Sequence, residues 1–224
     1  MNIGQIYKNT YQFEKKYEVD KIAMNNAFEL NSSNIPSLYT HLIHSALLSG
    51  KYDSTKIYLN KYLTLVLHDD ACDCDDCVRA QVYANIRLAL IKIKESKYEE
   101  AVKDFDILFN YYNNKQDTIA SIKVLSYILE PLKALNKIDQ LNIKIDNIEL
   151  LINNYNKLGS QTKMRIFWSI SKALQQIDIN KSEHYKSLAI EEMDIVLKKY
   201  ESFEDKQFII LNDKTVKELN SIIN

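Results

Sequence analysis

Apolar residues recur along this chain at intervals of three and four, the spacing that gathers side chains on one side of an α-helix. Leu141, Ile145, Ile148, Ile152 and Tyr155 step by four, three, four and three. Phe105, Leu108, Phe109 and Tyr112 make a second stripe, and Tyr185, Ala189, Met193, Val196 and Tyr200 a third. A stripe of this width buries one helix face against its neighbours. Joining such windows at their weak points predicts helices near 3–17, 19–30, 36–49, 53–68, 77–95, 98–113, 117–135, 139–157, 161–177 and 182–200, with a short one at 213–223. Pro36 suits a first helical turn, and Gly50 supplies the left-handed residue that ends a helix. Gly159 is expected to do the same before Ser160 caps the next helix. Pro131 falls inside a good pattern and is expected to kink or break that helix near Leu129. Phe208-Ile-Ile-Leu211 reads as a short extended piece.

The helical pattern also repeats. Leu48-Ser-Gly-Lys-Tyr-Asp-Ser-Thr-Lys-Ile-Tyr-Leu-Asn-Lys-Tyr62 and Glu95-Ser-Lys-Tyr-Glu-Glu-Ala-Val-Lys-Asp-Phe-Asp-Ile-Leu-Phe109 superpose, pairing Lys51-Tyr52 with Lys97-Tyr98. Thr55 then falls on Ala101, Leu59 on Phe105, Tyr62 on Leu108 and Leu63 on Phe109. Self-similarity at this scale is the mark of stacked helical hairpins, an architecture that makes a surface for holding another molecule without naming it. In Gly50-Lys51-Tyr52, Ser96-Lys97-Tyr98, Ala101 and Phe105, with packing residues at Leu42 to Ala46 and Leu88 to Ala89, the chain resembles tetratricopeptide repeats. The match covers residues 38–112. The two copies lie 46 residues apart where the family repeats about every 34. Units around Asn136-Lys137-Ile138 and from Ile177 to Tyr185 keep the pairing of helices and lose the motif. The resemblance implies an all-α, right-handed α-solenoid of antiparallel hairpins, residues 1–224 as one domain, with a concave face that holds proteins or peptides. The family's lysine and asparagine set for a terminal carboxylate has no counterpart here.

Composition narrows the partner. With 46% hydrophobic residues in 224 the chain builds a sizeable core, and three glycines with two prolines are too few for an all-β fold. A net charge of −1 gives no overall basic field, which counts against nucleic acid or a membrane surface as partner. No apolar run reaches the ~20 residues of a membrane span, and the first ten residues lack a secretory pattern. A cytoplasmic location follows, in line with three cysteines that make a poor disulfide framework. Abundant Lys, Asn, Ile and Tyr with few Arg suggests a bacterial source.

Those cysteines are the one concentration of metal-binding groups. His68, Cys72, Cys74 and Cys77 fall within ten residues, and three thiols with an imidazole suit one structural zinc. The bland alternative is an acidic loop with incidental thiols. A Cys74–Cys77 redox pair is disfavoured by nearby Asp charges, which raise thiol pKa. The same aspartates lack the central Gly and final Glu of a calcium loop. His41 and His44 share a helix face without a completing ligand, and His184 reads as a surface residue. No phosphate loop, nucleophile elbow or zinc-protease motif occurs, so no catalytic residue is assigned. Trp168 reads as core.

The first helix of each tetratricopeptide pair lines the concave face, which makes Tyr39, Tyr83, Asn85 and Arg87 the groove candidates. Arg87 stands out for its planar fork, suited to a carboxylate. The leading expectation is a non-catalytic binding module for a protein or peptide, in an adaptor, chaperone-like or immunity-type role. A metal- or redox-responsive regulator built on the cysteine loop is the alternative. Self-association through the last helix is also open.

Overall fold

The structure, a computed structural model, describes residues 12–30, 32–67, 75–155, 157–200 and 213–223. Ten helices account for most of these: α1 Phe13–Glu29, α2 Ile35–Leu48, α3 Tyr52–Val66, α4 Asp75–Lys94 and α5 Tyr98–Asn114, then α6 Thr118–Ala134, α7 Ile138–Asn154, α8 Ser160–Leu174, α9 Ile179–Leu197 and α10 Lys214–Ile223. The predicted segments map onto them with three differences. Residues 3–11 of the first predicted helix lie outside the described residues, and where a break near 18 was expected α1 is continuous to Glu29, because Tyr17, Asp20, Met24 and Ala27 lie on one buried face and no breaker interrupts them. Pro131 does not end its helix. It sits three residues before the end of α6, buried between Leu129 and Leu132, so packing holds the turn whose hydrogen bond it cannot make. Gly159 is extended rather than left-handed, with φ −70° and ψ 147°, and itself precedes the first turn of α8, its carbonyl accepting from the N–H groups of Thr162 and Lys163. Phe208 to Leu211 lie outside the described residues.

The joints between helices repeat more faithfully than the sequence does. Gly50, Ser96, Gln116 and Asn136 all take positive φ, from 54° to 72°. At each joint two backbone bonds close the preceding helix. Gly50 N–H donates to Leu47 O and Lys51 N–H to Ala46 O, while Ser96 N–H donates to Ile93 O and Lys97 N–H to Lys92 O. Gln116 with Asp117, and Asn136 with Lys137, repeat the pair one and two helices later. This is the paired-bond closure of a left-handed helix end. Ser96, Gln116 and Asn136 are twenty residues apart, so α5, α6 and α7 share one register. Ala101, Ser121 and Leu141 are buried at its first position, Phe105, Leu125 and Ile145 at its second, and Leu108, Ile128 and Ile148 at its third. Thr55 and Leu59 of α3 occupy the first two as well.

The chain divides into two compact units, residues 1–91 and 92–224, with the boundary inside α4. In the first, α1 packs on α2 and α2 on α3. Contacts also skip one helix: Tyr17 meets Tyr58 across α1 and α3, and Tyr83 of α4 reaches Thr40 of α2. A buried polar cluster ties α1 to α2, where Lys16 pairs with Asp20 and Ser45 Oγ donates to the same carboxylate at 2.6 Å. In the second unit α5 packs on α6, α6 on α7 and on α8, and α8 on α9. Skipping contacts recur there as Lys94–Glu130, Lys144–Asp106 and Tyr185–Glu149. Each unit is therefore all-α, with helices packed in chain order as stacked hairpins are.

Candidate functional site

The four groove candidates belong to the first unit, and the structure separates them. Tyr39 is a core residue, 4% exposed, with Phe28 edge-on to its ring at 6.4 Å and Tyr58 at 6.5 Å. It offers a ligand no surface, because α1 and α3 close over it. Burial alone raises its phenol pKa. Asn85 is half-buried and accepts a hydrogen bond from Gln81 Nε2 one turn earlier, at 3.0 Å.

Tyr83 and Arg87 form a unit. They stand four apart on α4, so their side chains share one face. The Arg87 guanidinium carbon lies 3.7 Å from the Tyr83 ring centroid, a close stack of cation on aromatic face. The ring is itself held at two other points. Its hydroxyl donates to the Thr40 carbonyl at 3.0 Å, and Tyr62 of α3 packs at 5.7 Å. Burial raises the Tyr83 pKa, and the Arg87 cation partly offsets that rise. Three helices thus fix the platform on which the guanidinium rests.

Several other cations of the chain have acids. Lys51 meets Glu14, Lys92 meets Asp104, Lys144 meets Asp106 and Arg165 meets Asp213. Arg87 has no carboxylate among the described residues, and its one hydrogen bond, to Tyr83 O at 3.5 Å, is long. A half-buried guanidinium with a fixed plane and no anion among the described residues is suited to receive a carboxylate from outside.

His68, Cys72 and Cys74 lie outside the described residues. Cys77 is 2% exposed at the start of α4, and it is disulfide-bonded. Among the described residues no three His, Cys, Asp or Glu side chains gather around a common point. His41 is exposed and His44 half-buried on α2. None of the described helices is long and apolar enough to cross a membrane.

Compared with protein-family models, with curated proteins and with solved structures, the chain matches none. The likeness to tetratricopeptide repeats therefore stands on the motif residues alone. Sequence reasoning missed the partners that give Arg87 its plane. Spacing of four marks Tyr83 and Arg87 as neighbours, and Tyr62 already occupies a repeat position, but the acceptor on Tyr83 is the backbone of Thr40, which carries no sequence signature.

Proposed function

We propose that this protein is a non-catalytic, cytoplasmic bacterial binding module that holds a protein or peptide on the face carrying Tyr83 and Arg87. In this reading the hairpins form a right-handed, tetratricopeptide-like solenoid, and Arg87 receives a carboxylate of the partner. One observation carries it: Arg87 is stacked on an anchored Tyr83 ring and has no acid among the described residues. A cation kept in a fixed plane loses little side-chain freedom on binding, and its planar fork matches a carboxylate at two points. Its charge also disfavours partners that bring a cation to the same place.

The test is capture from lysate of the source bacterium on wild-type, Arg87→Glu and Arg87→Lys proteins, each shown by circular dichroism to be equally helical. The expected result is one stoichiometric protein held by wild type, bound at least about tenfold more weakly by Arg87→Glu and partly retained by Arg87→Lys. That size corresponds to the loss of one charge-assisted contact. Equal retention by all three would remove Arg87 from the reading.

A further inference from the structure

In the second unit α6 and α8 pack on each other, and an open cleft of about 490 Å³ lies between the α6–α7 joint and the α8–α9 turn. Clefts of about 300–1,000 Å³ are the size that small ligands use. Both walls are helix ends closed by backbone bonds. On one, Asn136 is left-handed at φ 54° and donates its N–H to Lys133 O at 2.9 Å. On the other, Ile177 and Asp178 both donate to Leu174 O, at 2.8 and 2.9 Å. A further bond ties the walls together, from Lys133 Nζ to Lys172 O in the last turn of α8, at 2.6 Å. The cleft is therefore preformed, and filling it demands little new ordering of the chain.

Its lining combines four chemistries. Ala134, Ile138 and Ile177 supply apolar surface. The Asn136 and Gln176 side chains line it too, and neither makes a hydrogen bond among the described residues, so two amides are left with donors and acceptors to offer. Lys133 keeps two N–H donors beyond the one given to Lys172 O. Glu130, one turn earlier on α6, is met by Lys94 at 3.6 Å, and both side chains are more than half exposed, so that pair is weak. We propose that the cleft binds a short zwitterionic peptide of dipeptide size. Glu130 takes its ammonium group, Lys133 its carboxylate, the two amides its peptide bond, and the three apolar residues its side chains. A simple anion would meet Glu130 and be repelled, and a purely apolar ligand would cover the amides without pairing them. Lys94 is the internal competitor for Glu130, which the ligand's ammonium group displaces. The site lies wholly within the second unit and does not depend on the Arg87 reading.

The probe is leucyl-leucine, added to the full-length chain with its isoleucine methyl groups labelled for NMR. Saturable movement of the Ile138 and Ile177 methyl resonances is expected, with a Kd of about 1 mM or tighter. Acetylating the amine of the dipeptide, or amidating its carboxylate, should each weaken binding at least about tenfold, the loss of one charge-assisted contact. Glu130→Gln should remove the preference for the free amine, and Lys94→Gln should tighten leucyl-leucine binding by freeing Glu130. No saturable movement up to about 10 mM dipeptide would overturn the proposal. So would equal affinity for the free and blocked dipeptides, because the contact would then be apolar only, and so would a folded Lys94→Gln chain that binds no better than wild type. If either variant does not fold, the wild-type comparison of free and blocked dipeptides decides alone.

Discussion

Ser121 lies buried at the place Ala101 fills one helix earlier, and its hydroxyl has no hydrogen-bond partner among the described residues. A buried hydroxyl without a partner loses its water and gains nothing in return. Ser121→Ala should therefore raise stability by about 1 kcal/mol, helped by alanine's better helix propensity. The check is a higher urea midpoint at unchanged slope, and a lower midpoint would show that the hydroxyl is satisfied after all. The buried Lys16–Asp20–Ser45 cluster shows the opposite arrangement, with every charge answered. Both sites lie at helical spacing in the sequence. What separates them is the chemistry of the facing helix, which spacing does not reveal.

At the scale of the element, the joints are the distinctive feature. A left-handed residue suits glycine and strains other side chains, yet only the first of the four equivalent joints has glycine. Ser96→Gly should stabilise the chain by roughly 1 kcal/mol, the strain its Cβ contributes in that conformation. Gly50→Ala should cost a similar amount. A Cβ at Gly50 would meet only Tyr52 Oη, at 4.0 Å, so the loss would come from backbone conformation and not from crowding. Thermal melts of the two variants should move in opposite directions; a shift of the same sign in both would show that the joints are not equivalent. The conformation could be read in the sequence at Gly50, whereas at Ser96, Gln116 and Asn136 it follows from two helices of fixed length packing against each other.

At the scale of the whole molecule, the helices of each unit pack on near neighbours in the chain, so a lost contact should be felt near its origin. Phe105→Ala should cost about 3 to 5 kcal/mol in the second unit. Hydrogen exchange should then show lower protection in α5, α6 and α7 with α1 to α3 little changed, whereas an even loss throughout would mean the two units unfold as one.

The sequence by itself determined the helical class, nearly every helix and the buried stripe of each, because a period of 3.6 residues records in one dimension which face a helix buries. It also marked the Lys-Tyr joints and the i, i+4 pairing of Tyr83 with Arg87. Only tertiary structure decided the rest. Tyr39 became core because α1 and α3 close over it, and Pro131 stayed helical because its neighbours are packed. Tyr83 became an anchored platform through a backbone carbonyl of α2, and Trp168 found its hydrogen-bond acceptor fifty residues away in α10. Each of these depends on a helix distant in sequence supplying the other half of the contact, and a residue pattern read locally holds only one half.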